Sequence, residues 1–296
     1  MKKYFFYFTS VLAASILFSC QPKPLDIDVQ PAQPKLAISS QIIPNQIMIV
    51  SVTRSFSALE GKDVQEADSA SQSFIDGILV KNAFVTVSHS GITDTLFMLS
   101  PGIYASVNTL LTNYGTYTLY AYDGETDLEV TASTSLLPQV SFDTVYPVVI
   151  KNPGDTVVDI YYQLSDNTNE ENYYVVNYIK KVNSTNSTGI DINQVFSLGS
   201  NAFQSYFDLL DDRSFTNGKY SLQKKLETVT HQDSIAVMVS NISKGYYDFL
   251  SSFKRSGALI NLLTGEPINY PTNVEGGYGY FNAHFPNTRY FDLKNY

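Results

Sequence analysis

Cys20 is the residue whose neighbours most clearly predict a chemical reaction. It is the only cysteine among 296 residues, and it follows two lysines, Lys2 and Lys3, and an apolar run over residues 4–18. A basic start and a short apolar run are typical of a secretory signal, and this run is too short to span a bilayer comfortably. We therefore predict a signal peptide over residues 1–19.

The residues around the predicted cleavage point, Leu17-Phe18-Ser19-Cys20, resemble a bacterial lipobox, although Phe18 is bulkier than the residue usual there. Cleavage requires the small neighbour Ser19, and the Cys20 thiol is the nucleophile that takes a diacylglyceryl group. Each buried methylene contributes about 0.8 kcal/mol, so two or three acyl chains anchor a protein where one does not. We predict diacylglyceryl and N-acyl lipid at Cys20; the alternative is a soluble secreted protein with an incidental cysteine.

The charge balance narrows the classes of partner. The net charge of −9 becomes −11 once the signal peptide with its two lysines is removed. Nucleic-acid binding depends on clustered Lys and Arg, so nucleic acid is not expected as a partner. A single cysteine permits neither an internal disulfide nor a thiolate metal site. No cofactor other than the lipid is predicted.

Residues 20–35 are predicted to form an extended tether, because they combine four prolines with little that could be buried. At about 3.1 Å per residue, such a segment would hold a domain roughly 45 Å from the membrane. The folded part of the chain is therefore expected to begin near Leu36.

Alternating apolar and polar residues predict seven short strands between residues 36 and 136. The 22 tyrosines and 18 phenylalanines suit pleated, half-buried surfaces. Asp123-Gly124 separates two of the strands and is typical of a hairpin turn with positive φ at both residues. The predicted fold class is mainly β, with an immunoglobulin-like or prealbumin-like β-sandwich over residues 36–136.

Residues 137–296 are predicted to form a second β-rich domain with one amphipathic helix near residues 243–255. Apolar residues recur there at helical spacing, Asn241 or Ser243 can cap the first turn, and Gly257 can end the helix. A short second helix is predicted over residues 203–210 from a similar spacing.

The tail carries the residues predicted to bind a ligand. Tyr278, Tyr280 and Phe281, together with Glu275 beside two glycines, could stack on a sugar or a peptide and accept its hydrogen bonds. Strand alternation would turn half of these rings toward a core, which is the competing interpretation.

No catalytic residue is predicted. His89, His231 and His284 are isolated, without an HExxH or similar motif, so no metal site is predicted from them. The segment Asp166–Asn172 is rich in oxygen ligands and could hold Ca²⁺, but it lacks the glycine of an EF-hand loop, so an ordinary acidic loop is favoured. Asp208, Asp211 and Asp212 cluster in sequence and are expected on a solvated face or at a helix end.

The order of these parts resembles a family of Bacteroidota outer-membrane lipoproteins of unknown function, domain of unknown function number 4249. The motifs that carry the resemblance are Cys20 with its lipobox, Val52-Thr53-Arg54-Ser55, Val80–Val87, Gly102-Ile103-Tyr104, Gly115–Leu119, Asn172–Val175, Phe215–Gly218, Tyr246–Phe253 and Asn273–Phe281. Members are commonly encoded beside TonB-dependent receptors. The resemblance implies an outer-membrane accessory protein, with Asp26 and Asp28 behind Cys20 favouring the cell surface over the periplasmic face.

Three functions compete on these grounds. The first is a lipid-anchored binding or accessory protein that assists a TonB-dependent β-barrel transporter in nutrient capture. The second is a surface adhesion or structural lipoprotein, suggested by the sandwich and the long tether. The third is a glycan-active enzyme, for which Glu275 would be the first acid to test. We expect a protein that is not an enzyme.

Overall fold

The computed structural model describes residues 33–43, 47–55, 77–107, 114–152, 155–181, 203–226, 229–255 and 270–296. Cys20 and the predicted signal peptide lie outside these residues, as does most of the predicted tether. The described residues contain sixteen strands and are mainly β, as predicted: β1 Leu36–Ile42, β2 Met48–Arg54, β3 Ala83–His89, β4 Ile92–Ser100, β5 Ile103–Ser106, β6 Gly115–Asp123, β7 Leu128–Leu136, β8 Thr144–Asn152, β9 Asp155–Ser165, β10 Tyr173–Lys181, β11 Phe203–Asp211, β12 Lys219–Leu226, β13 Ser234–Asn241, β14 Val274–Glu275, β15 Tyr278–Ala283 and β16 Asn287–Asp292.

Nine strands form one sheet that folds over a single core. Their order is β14-β7-β6-β3-β4-β5-β2-β1-β15, and only β1 and β15 pair in parallel. Since β14 and β15 are joined by the short turn Gly276-Gly277 yet lie at opposite ends of that order, the sheet closes on itself and β15 contacts β7. The apolar residues that point inward from both halves form the core of this first sandwich.

Two smaller sheets form the second sandwich. One has the order β11-β10-β13-β16 and the other β12-β9-β8. Side chains from both sheets share one core, in which Ile160, Tyr178 and Val237 are fully or nearly fully buried. The strands alternate inward apolar residues with outward ones, as a sandwich requires.

The helix α1 (Lys244–Arg255) lies between the two sandwiches. The hydroxyl of Ser243 accepts a hydrogen bond from the Tyr246 N–H at 3.3 Å, which caps the first turn as predicted. Its apolar side packs against the outer face of β10 and against Tyr280 of β15. The predicted helix near residues 243–255 is confirmed. Among the residues that the structure describes, no helix is long and apolar enough to cross a membrane.

The helix predicted over residues 203–210 is wrong, because these residues form β11. The strand pairs antiparallel with β10 along its whole length and is covered on both faces. Leu210 lies in the core of the second sandwich, whereas Phe207 and Leu209 pack beneath α1. A strand that is buried on both faces carries apolar residues at positions facing either side of the sheet, so the alternation of apolar and polar residues that is typical of a strand is lost.

The hairpin predicted at Asp123-Gly124 exists, but its turn is longer. Asp123 pairs with Leu128, so the turn comprises residues 124–127, and within it Asp127 has a φ of 57°. Asp123 is fully buried, and its carboxylate accepts hydrogen bonds from the Glu125 N–H at 3.1 Å and the Thr126 hydroxyl at 2.6 Å. The buried carboxylate of Asp123 therefore holds the turn through hydrogen bonds to two of its residues.

The chain from Gln33 to Tyr296 forms one compact unit, in which each sandwich has a core of its own. Residues 274–283 fall in the predicted second domain, but as β14 and β15 they belong to the sheet of the first sandwich. The predicted division after residue 136 coincides with the end of β7. As a domain boundary it stays a prediction.

Candidate functional site

The four tail residues predicted to bind a ligand lie in different surroundings. Phe281 is fully buried in the core of the first sandwich, whereas Tyr280 is buried on the opposite face of β15, against α1. Tyr278 is about half exposed, with the Lys35 ammonium 5.4 Å from its ring centroid. Glu275 is exposed on β14. The structure does not bring these four side chains together.

The three clustered aspartates also have separate partners. Asp208 lies 2.8 Å from the Lys224 ammonium, which links β11 to β12 at one edge of the second sandwich. Asp211 forms an ion pair with Arg213. Asp212 accepts a backbone N–H from the loop before β10 at 2.8 Å. Each carboxylate is therefore engaged in holding local structure.

The oxygen-rich loop Asp166–Asn172 is bonded largely to itself. The Tyr174 hydroxyl donates to Asp166, and the Asn167 side-chain oxygen accepts the Asn169 N–H at 3.3 Å. In the described part of the chain, no group of three or more His, Cys, Asp or Glu side chains is arranged to hold a metal ion. The ordinary acidic loop, favoured over a calcium site from the sequence, stays a prediction.

The outer face of the first sandwich carries a cluster of aromatic side chains. Inward core residues of β3, β4 and β6 alternate with outward aromatic ones, which we call the aromatic platform: Phe84 on β3, Phe97 on β4, and Tyr120 and Tyr122 on β6. Phe84 is 53% exposed and Phe97 is 51% exposed. Large apolar side chains that cluster on a surface are typical of an interaction site.

Three of the four rings of the platform, those of Phe84, Tyr120 and Tyr122, contact neighbours on the same face. Phe84 pairs with Tyr122 across the strands and meets Tyr120 edge-on, with ring centroids 6.5 Å apart and an interplanar angle of 64°. The Tyr120 hydroxyl donates to Glu129 at 2.9 Å, and the Tyr122 hydroxyl donates to Asp127 at 2.9 Å. These hydrogen bonds raise the pKa of both phenols, so both remain neutral hydrogen-bond donors.

Glu275 is the predicted tail residue that reaches the margin of this face. It pairs with Thr131 of β7, whose other cross-strand partner is Tyr120. The Thr131 hydroxyl donates to the Glu275 carboxylate at 3.3 Å. Glu129 lies on the same face of β7, so two carboxylates border the platform on the side of β7 and β14.

The sequence predicts the strands that carry the platform but not the platform itself, because aromatic residues are equally typical of strand formation. The stretches that contain Phe84, Tyr120 and Tyr122 were correctly predicted as strands. The alternation within these strands does indicate the platform. Val85, Leu119 and Ala121 occupy the positions that face the core. The aromatic residues therefore occupy the outward positions, which a sheet with one solvated face usually fills with polar residues.

A buried histidine links the two sandwiches. The His284 N–H donates to the Ile42 carbonyl at 2.9 Å, which continues the pairing of β15 with β1. Its Nδ1 lies 2.8 Å from the Ser240 hydroxyl on β13 of the second sandwich. Within the described residues its Nε2 has no hydrogen-bond partner. Burial lowers the pKa of His284 to about 4.

We expect this histidine to make the free energy of unfolding fall by about 3 kcal/mol between pH 7 and pH 4. The folded protein keeps His284 neutral down to about pH 4, whereas the unfolded chain binds a proton below about pH 6.5. Protonation therefore favours unfolding across this window, and stability is lost as the pH falls. Urea denaturation of wild type and His284→Gln at several pH values measures the difference, which should shrink toward pH 4.

A matched control comes from His231, which lies in the turn before β13. A His231→Gln variant should keep the pH dependence of the wild type. Parallel curves for wild type and His284→Gln over the whole window would contradict the assignment of a neutral buried imidazole.

A family model described as "Domain of unknown function (DUF4249)" matches residues 22–288. Among curated proteins, nothing matches the chain. A solved structure of chicken CNTN1 FN1-FN3 domains is 14% identical, with 73% of this chain and 64% of that chain covered and a TM-score of 0.24. The chain thus spans less than two thirds of that fragment.

Two further solved structures are comparably distant. A DUF3823 family protein from Parabacteroides merdae is 11% identical, with 71% of this chain and 91% of that chain covered and a TM-score of 0.21. Trypsin-activated alpha-2-macroglobulin from Escherichia coli is 10% identical, with 75% and 16% covered and a TM-score of 0.23. At these scores, the likenesses carry no argument about function.

Proposed function

We propose a binding function in place of an enzymatic one for this chain, which belongs to the family described as a domain of unknown function, DUF4249. The protein is a lipid-anchored binding protein of the outer membrane that assists a TonB-dependent transporter in capturing a nutrient. The observation that carries the binding function is the aromatic platform, which presents two exposed phenylalanine rings and two hydrogen-bonded tyrosines on one sheet face.

The platform has the features of a prepared binding surface. Phe84 and Phe97 offer apolar area to a ligand, and the two tyrosines are held by hydrogen bonds to Glu129 and Asp127. Side chains that are already ordered lose little conformational entropy when a ligand binds, which favours affinity.

The membrane anchor supports the location. The Leu17–Cys20 motif supplies the lipidated cysteine, and the tether ends where the Lys35 N–H donates to the Ser55 hydroxyl at 2.9 Å, immediately before β1. A tether of roughly 45 Å would let the platform sample the space above a neighbouring transporter. The transporter itself is proposed from the family resemblance.

Gentle detergent extraction tests the proposal. We expect tagged wild-type protein to co-purify with a β-barrel transporter, and mass spectrometry of its N-terminal peptide to find diacylglyceryl and N-acyl lipid on Cys20. A Cys20→Ser variant cannot take the lipid and should lose at least tenfold of the co-purified barrel, because it is no longer held in the membrane.

Either of two results would overturn the proposal. One is repeated recovery of the wild-type lipoprotein without any β-barrel under gentle conditions. The other is an unmodified Cys20 thiol or an uncut leader in the native protein, which would remove the membrane anchor.

A further inference from the structure

The side chains around the aromatic platform are mainly hydroxyls in straight rows. Cross-strand pairing aligns one row over five strands and a second over four. Neighbouring strands lie about 4.8 Å apart, so the longer row extends about 20 Å across the face. The first row is Thr95, Thr86, Tyr120, Thr131 and Glu275, of which Thr86 is buried, and the second is Thr93, Ser88, Thr118 and Ser133.

The charges of this face exclude several ligand classes. The two rows contain neither lysine nor arginine, and the side chains bonded to or bordering the platform include the carboxylates Asp127, Glu129 and Glu275. An anionic ligand or an anionic membrane surface would be repelled. A peptide that adds a strand needs an unpaired sheet edge, whereas β3 and β6 are paired on both sides.

This inference rests on the proposed binding function: we propose that this face binds the chain of a neutral glycan. Sugar rings combine apolar faces with many hydroxyl groups. Phe84 and Phe97 can stack on the apolar faces, while the rows of Thr and Ser exchange hydrogen bonds with the hydroxyls. The carboxylates of Glu129 and Glu275 accept hydrogen bonds from sugar hydroxyls at the margin.

A lipid or another apolar ligand fits the face less well. Such a ligand would cover the hydroxyl rows without offering them hydrogen-bond partners, and burying unpaired polar groups is costly. Two of the hydroxyl pairs are also bonded within the face, Ser88 with Thr93 at 2.8 Å and Thr118 with Ser133 at 3.4 Å. Pairing fixes the oxygen positions while leaving acceptor capacity for a ligand hydroxyl.

Affinity electrophoresis of the purified, lipidated protein in mild detergent tests the proposal. The gels contain one soluble polysaccharide each: an α-glucan, a β-glucan, a xylan, a mannan, or acidic polygalacturonate. We expect at least one neutral polymer to retard the wild type, and polygalacturonate to leave it unretarded. Phe84→Ala should weaken retardation by about tenfold or more, because an exposed stacking ring carries a large share of binding energy.

Tyr290→Ala is the matched control, because Tyr290 is an aromatic side chain 80% exposed on β16 of the second sandwich. It should bind like the wild type. The proposal is overturned if no neutral polymer retards the wild type, if Phe84→Ala binds as well as Tyr290→Ala, or if polygalacturonate binds equally. The gel assay contains no transporter, so a negative result for glycan binding is independent of whether the β-barrel co-purifies with the protein. Loss of the barrel in Phe84→Ala without any glycan binding would assign the face to a protein partner.

Discussion

A Gly279→Ala variant should lose about 4 kcal/mol or more of its free energy of unfolding. Gly279 has a φ of +92°, a conformation that side chains with a Cβ rarely adopt. It faces Ile38 across the parallel pair β1 and β15, and an added Cβ would overlap the Ile38 carbonyl oxygen. Backbone strain and overpacking each cost about 1 to 3 kcal/mol. Urea denaturation followed by circular dichroism measures the loss.

A second glycine separates the two causes. Gly91 also has a positive φ, of +79°, but a Cβ there would meet nothing within 4 Å. Gly91→Ala should therefore cost only about 1 to 2 kcal/mol, from the backbone alone. Equal losses in the two variants would show that the close approach of β15 to β1 does not control stability.

The closing role of β15 explains why this position should be sensitive. The strand supplies Phe281 and Ala283 to the core of the first sandwich and Tyr280 to the contact with α1. A shift of β15 away from β1 would open the sheet and disturb the junction in one step. The next strand, β16, belongs to the sheet of the second sandwich, so the last two strands of the chain belong to different sandwiches.

Most of the strands could be predicted because their two faces differ. In β2, Met48, Val50 and Val52 alternate with less buried residues, so the pattern in the sequence records the burial directly. In β11 both faces are covered, so the pattern is absent. The parallel pairing of β15 with β1 depends on residues far apart in sequence. A tail rich in glycine and aromatic residues predicts a strand, but it does not predict which strand it pairs with.

The candidate site could be predicted only in part for a similar reason. Sequence alone identifies Glu275 as an acid beside aromatic residues, but the aromatic residue in its cross-strand row, Tyr120, lies two strands away and comes from a strand about 150 residues earlier. Tyr280 and Phe281 lie close to Glu275 in sequence and yet enter two different cores. Proximity in sequence is a poor guide to a site built across a sheet.

The second large loss of stability is expected when the buried ion pair between Asp123 and Arg54 is broken. Asp123 has a fully buried side chain, and the Arg54 guanidinium, 17% exposed, lies 2.7 Å from it. Burial opposes the charge on Asp123, but hydrogen bonds from Thr126, Arg54 and the Glu125 N–H outweigh it and lower the pKa of the carboxyl. The pair therefore stabilises the fold above about pH 4, and this stabilisation is lost as the pH falls through the lowered pKa.

We expect Asp123→Ala to cost about 3 to 4 kcal/mol at pH 7. The change leaves the largely buried Arg54 without its main partner, and removing one member of a buried pair is far more costly than losing a surface pair. Glu125→Ala is the matched control: Glu125 also lies 2.7 Å from Arg54, but its side chain is 48% exposed, so the loss of unfolding free energy should stay below about 1 kcal/mol.

A double variant tests whether the two charges are coupled. Because Arg54→Met/Asp123→Ala buries no unpaired charge, its loss of unfolding free energy should be at least about 1 kcal/mol smaller than the sum of the losses of the two single variants. Strict additivity in urea denaturation would show that the two charges are not coupled, and would leave packing around the turn as the source of the loss.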